Sequence, residues 1–98
     1  QVTSPYFAEL QGLPSDDEER IARNRRNTFR TGQLRVWENI HYQYRKGLYE
    51  ESEFSKEREV WRRGVNRQEM KRVYCNTKNT YSDEFVADLD SIMNEPCD

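Results

Sequence analysis

The sequence predicts an all-α fold, a small bundle in which one long helix packs against three shorter ones. Three observations predict it. Apolar residues recur at helical rather than alternating intervals, no proline interrupts positions 15–95, and neither Asn-Gly nor Asp-Gly hairpin turns occur. No period-two alternation lasts long enough to suggest a strand.

The elements follow in order. Ser4-Pro5 reads as an N-cap and first helical residue, opening a short helix over about 5–11 that stops near Gly12. Leu13-Pro14 is a linker, and Ser15 with Glu18 fits a capping box. The long helix then runs over about 16–46, with Asp16, Asp17, Glu18 and Glu19 at its start and Arg45-Lys46 at its end, as the helix macrodipole prefers. Ile21, Ala22, Phe29, Gly32, Val36, Trp37, Ile40 and Tyr44 fall in one broad sector and form the expected core-facing stripe. Gly47 suits a left-handed C-cap, with Leu48 packing back on the helix end.

A second helix over about 50–63 should bury Phe54, Trp61 and Val60, with Gly64 ending it and Val65 tucked in. Asn66 reads as the cap of a third helix over about 67–78 carrying Met70, Val73, Tyr74 and Thr77. The run Asn76 to Thr80 has poor helix propensity, so fraying is expected before Tyr81. Ser82 then caps a last helix over about 83–94, with Phe85, Val86, Leu89, Ile92 and Met93 on one face and Pro96 marking its limit.

At 98 residues the chain makes one domain, a short helix and linker over 1–14 and a helical core over 15–95. Leu, Ile, Val and Phe are scarce, but six Tyr and two Trp supply apolar area, so the core should be thin and aromatic. Charged residues make up 35% and mean hydropathy is -1.21, so most of each helix must face water. No run approaches the roughly 20 apolar residues that span a bilayer. The chain begins at Gln1 without methionine, in keeping with a fragment or processed product. Cys75 and Cys97 are too few for a disulfide scaffold and lack metal-ligand spacing; reduced thiols in a cytosolic setting are favoured over a bridge.

Chemistry-bearing patterns are sparse. Glu38-x-x-His41 has the spacing of the carboxylate–histidine pair in di-iron bundles, but such sites use two copies and this chain has one histidine. A surface glutamate and a boundary histidine are the simpler reading. Cys75 and Cys97 are the cysteines available to His41, and nothing places either beside it. Four isolated glycines form no phosphate loop. No catalytic, cofactor-binding or metal-ligating set is therefore assigned, and no cofactor is expected.

Two surfaces remain. Glu38, Asn39, His41, Tyr42 and Arg45 form a polar-aromatic strip, read first as an internal network in which Glu38 accepts from Tyr42 or from an arginine one turn earlier, and otherwise as a partner or ligand surface. Trp37 and Tyr44 are read as core. Arg20, Arg23, Arg26 and Arg30, within a stretch that has no acid before Glu38, form a basic face able to hold phosphates or anionic headgroups. An isoelectric point near 5.5 weighs against nucleic acid.

The segment Trp37-Glu38-Asn39-Ile40-His41-Tyr42-Gln43-Tyr44-Arg45-Lys46-Gly47-Leu48, with Phe54, the Gly64-Val65 break and Tyr81-Ser82-x-Glu84-Phe85-Val86, resembles an uncharacterised family of small bacterial proteins. Members carry one N-terminal membrane helix followed by a soluble helical domain. The resemblance covers Ser4-Pro5 to Ile92 and implies a membrane anchor upstream of Gln1, with the domain on the cytoplasmic side; it carries no activity. Gly64-Val65-Asn66 and Val73-Tyr74 depart from the proline-glycine and tryptophan-rich third helix of relatives. The expectation is a non-enzymatic helical interaction or regulatory module that binds a protein partner or itself. The rivals are a ligand-sensing or enzymatic domain using the polar strip, and an anionic-surface binder using the Arg20–Arg30 face.

Overall fold

A computed structural model describes residues 16–98, so the expected helix over 5–11 and the Ser15 cap lie outside the described residues. Four helices follow: α1 (Asp16–Arg45), α2 (Glu51–Val65), α3 (Gln68–Thr77) and α4 (Asp83–Ile92), with a 3-10 turn (Lys78–Thr80) before α4. No strand occurs among the described residues. The all-α bundle of one long and three shorter helices is thus present.

The helix ends show why the chain breaks where it does. Gly47 sits at φ 77°, with the Gly47 N–H donating to the Tyr44 carbonyl and the Leu48 N–H to that of Gln43. That is a Schellman ending, which glycine adopts without a Cβ penalty. Leu48, expected to pack back, is 73% exposed instead. Ser82 caps α4 by accepting from the Phe85 N–H at 3.3 Å. Its own N–H donates to Glu38 of α1 at 2.7 Å, so a carboxylate from another helix takes the place a capping-box glutamate would hold.

Two boundaries differ from the sequence reading. Gly64 does not end α2, which continues through Val65; a Cβ on Gly64 would sit 3.0 Å from the Trp37 ring, so any larger residue there would have to displace that ring by a few tenths of an ångström. Asn66 is not the cap of α3, a position held by Arg67 without a side-chain bond. The Asn66 amide donates to the carbonyls of Arg62 and Ile92 and its oxygen accepts from the Asn94 N–H, tying the α2–α3 corner to the end of α4. Satisfying three backbone groups in separate segments outweighs one capping bond.

Trp61 is the centre of the core. It is fully buried and meets Trp37 in a stack at 5.8 Å and Phe54 and Phe85 edge to face at 5.5 and 5.8 Å. Leu34, Val65, Met70, Val73, Tyr74, Tyr81 and Leu89 complete the buried set, and Tyr44 stacks flat on Phe54. Edge-to-face and offset stacks of this kind add to area burial, which lets a leucine-poor chain hold together.

The expected stripe on α1 is only partly covered. Of its members Trp37 is buried and Ile40 and Tyr44 pack against the core, whereas Ile21, Phe29 and Val36 are exposed and every residue from 16 to 26 faces solvent; Leu34 and His41, outside the stripe, are buried instead. Adjacent helical residues point about 100° apart, so Trp37 and Val36 cannot share one packing face. A 30-residue helix is about 45 Å long, and the shorter helices cover its C-terminal half; the described residues measure 60 × 28 × 22 Å. The first half of α1 projects as an arm. Val60 of α2, expected to be buried, is also exposed.

Candidate functional site

A concavity opens where the arm meets the bundle. It is a groove of about 990 Å³ between the arm on one side and the α2–α3 corner on the other. The positions that follow the buried face of α1 backwards from His41, Trp37 and Leu34 at spacings of three and four are Arg30, Asn27, Arg26 and Arg23. One helical face is thus core in its second half and cationic in its first. With no helix among the described residues covering the first half, an apolar face there would be exposed, and arginine keeps it solvated.

Arg25, Arg26 and Arg30 stand on the arm side, and Arg63 and Arg67 face them. Phe29, 67% exposed, and Val60 supply apolar surface, while Trp37 and Met70 reach the groove from the core. Arg30 is ion-paired to Glu69 of α3, which joins arm to bundle. Arg63 is held by Glu59, whose carboxyl is pulled down to about 2, first by the hydrogen bond from Arg62. Arg25, Arg26 and Arg67 have no carboxylate partner among the described residues.

Of the basic face read from the sequence, Arg20 pairs with Asp17 at 3.0 Å, Arg30 and Arg26 line the groove, and Arg23 lies on the arm. Arg25, Arg63, Arg67, Phe29 and Val60 did not enter that reading. A surplus of arginine without nearby acid was the available signal for Arg25; the α2–α3 residues are brought there by the chain's return and carry no local signal.

The polar strip does not form one surface. Glu38, Asn39, Tyr42 and Arg45 border a shallow dent of about 270 Å³ with Arg35 and Ser82, while His41 turns away from it into the core. Glu38 accepts from Arg35 at 3.4 Å, the arginine one turn earlier, and from the Ser82 backbone; Arg35 also lies over the Tyr81 ring at 4.7 Å. Arg45 bonds His41 and lies 5.6 Å over Tyr42.

His41 is therefore a core residue rather than a boundary one. Its Nε2 lies 3.2 Å from Asp88 of α4 and its Nδ1 meets the Arg45 guanidinium, while Arg58 of α2 grips both Asp88 oxygens at 2.9 and 3.1 Å. The guanidinium has no acceptor, so Nδ1 is the acceptor and Nε2–H donates to Asp88, fixing a neutral tautomer. Burial lowers the His41 pKa from its ordinary value against the opposing pull of Asp88, and Arg45 lowers it further. An Asp–His pair suggests proton transfer, but here both ring nitrogens are already engaged and no nucleophile faces them. Among the described residues no group of three His, Cys, Asp or Glu could hold a metal, and Glu38 is directed at Ser82.

Cys75 and Cys97 form a disulfide, in place of the reduced thiols expected from the sequence. The bridge spans 22 residues and fastens the tail after α4 to α3. Sequence spacing gave no pairing because their approach depends on α4 running back along α3.

The chain matches no known protein family, curated protein or solved structure. Its own geometry therefore carries the functional argument. No helix among the described residues is long and apolar enough to cross a membrane.

Proposed function

We propose that this is a non-enzymatic helical interaction module, the folded part of a membrane-anchored bacterial protein, that receives a protein partner in the groove between the α1 arm and the α2–α3 corner. The observation that carries this reading is Phe29, an aromatic two-thirds exposed at the edge of a groove ringed by arginines. Aromatic residues and arginine are the side chains that interfaces concentrate. The engagement of His41, Asp88 and Glu38 in internal bonds supports a binding rather than a catalytic role.

A photo-crosslinking residue placed at position 29 or 60 of the parent protein, in cells that make it, should give discrete adducts. The same residue at exposed Glu84 should not. Equal labelling at all three, or none at any, would sink the reading. Arg23, Arg25 and Arg26 favour as runner-up a contact with an anionic surface, which should appear as salt-sensitive co-sedimentation with anionic vesicles.

The Cys75–Cys97 bridge supports an oxidising compartment as the place of work, in preference to the cytoplasmic side implied by the family resemblance. Alkylation of the chain in intact cells should leave both thiols unlabelled until reductant is added. Labelling without reductant would return the domain to the cytoplasm.

A further inference from the structure

We infer that the occupant of the groove is an acidic amphipathic helix of another protein; this rests on the reading above, that the groove is the docking site. The groove runs between two helical walls, and a helix with its side chains is about 10–12 Å across, so the space beside the arm is where a further helix of the bundle would lie. Helices laid in grooves of this kind are held by an apolar face. Phe29 and Val60 at the edges, with Trp37 and Met70 beneath, provide the matching apolar line.

Charge selects the rest of the occupant. Arg25 and Arg26 stand on one wall and Arg67 on the other, without carboxylate partners among the described residues. Glu69 is the one acid of the lining, and it is committed to Arg30. A ligand seated on the apolar line meets guanidinium groups along both flanks, each able to grip a carboxylate with two donors. Apolar along the middle and acidic on both sides describes an acidic amphipathic helix. A bilayer surface is broad and would meet the arm without reaching Trp37 between the walls. A nucleic-acid duplex would satisfy the arginines but leave Phe29 and Val60 against water.

The test is a selection with the full chain, at low salt, from a library of randomised 16-residue helices displayed on phage. Enriched sequences should carry apolar residues at i, i+3 or i+4 and i+7 with Glu or Asp on the flanks. Their synthetic forms should bind with an affinity that falls as salt rises. Phe29→Ser, and Arg25→Glu combined with Arg67→Glu, should each weaken binding by about tenfold or more. Circular dichroism melts should confirm that these exposed substitutions leave the fold intact.

Enriched helices that lose binding on Phe29→Ser but show no acidic bias would overturn the acidic occupant while leaving the groove as a docking site. Failure to enrich any helix that responds to these variants would overturn both. Anionic vesicles or duplex DNA that outcompete the selected peptides, with binding indifferent to Phe29→Ser, would replace the helix by a polyanion. Concentration-dependent dimers abolished by Phe29→Ser would assign the groove to a second copy of this chain and overturn the inference.

Discussion

The two halves of α1 share one backbone geometry and differ in almost everything else. From Leu34 to Arg45 the inner face is built of Leu34, Trp37 and His41, closed over by α2, α3 and α4. From Asp16 to Gln33 the same face carries Arg23, Arg26 and Arg30, and the apolar residues Ile21 and Phe29 lie elsewhere on the helix, in solvent. The difference teaches that amphipathic periodicity reports which side of a helix is apolar, whereas stability depends on whether another element covers that side. The covered half holds the fold, and no helix among the described residues covers the other half.

The contrast should be sharpest in Trp61→Ala, which removes the ring that Trp37, Phe54 and Phe85 pack around. A loss of about 3–5 kcal/mol is expected in urea melts. A loss below 1 kcal/mol would mean that the aromatic cluster does not hold the covered half.

Reduction of the Cys75–Cys97 bridge should rank next. Closing a loop of this length removes about 3 kcal/mol worth of disorder from the unfolded chain in the entropic account. A melt in reductant should show a large downward shift, and an unchanged midpoint would mean that the tail holds its place without the bond.

Asp88→Asn should cost about 2 kcal/mol, because Arg58 and His41 lose their shared acceptor; partial exposure of Asp88 and Arg58 keeps this below the cost at a fully buried ion pair. No change on chemical denaturation would remove the network from the list of what binds α1 to α2 and α4.

The same network sets a pH response. His41 in the folded state has a pKa below its ordinary value, so on acidification the unfolded chain takes up the proton first. Its contribution is complete above the unfolded value, about 6.5, and is lost as pH falls from there through the lowered folded value. The groups around it are Arg45 on α1, Arg58 on α2 and Asp88 on α4. Stability measured between pH 7.5 and 5 should fall more steeply for the native chain than for His41→Gln. Parallel curves would show that the imidazole does not titrate differently on folding.

The smallest effect belongs to the uncovered half. Phe29→Ala should shift stability by no more than about 0.5 kcal/mol, since the ring is mostly exposed. Amides before Leu34 should exchange with solvent faster than those between Leu34 and Arg45, because fewer packed side chains protect them. Equal protection along the whole of α1 would erase the distinction between its halves.

Much of the fold was legible in the residues. Gly47 needed a left-handed turn, Ser82 offered an oxygen to the N–H groups of a new helix, and Phe54, Trp61, Val65, Phe85 and Leu89 stood at core spacings. Less of the site was legible. Arg26 and Arg30 were identified as cationic, but their partners across the groove, Arg63 and Arg67, lie more than thirty positions along the chain. Val60 and Leu48 were expected inside, and nothing local distinguishes an apolar residue that will be covered from one that will not.

The sequence by itself determined that the chain is helical, the stop at Gly47, the start at Ser82 and which residue types each face carries, because those depend on backbone conformation and on neighbours within a turn or two. The tertiary structure decided which faces are covered, that His41 sits inside between Asp88 and Arg45, that Cys75 meets Cys97, and that an arm of α1 faces the α2–α3 corner across open space. Those outcomes depend on how far the shorter helices reach along the long one. The packing of Trp61 against Trp37, with Gly64 beside it, is one such contact between segments remote in the chain.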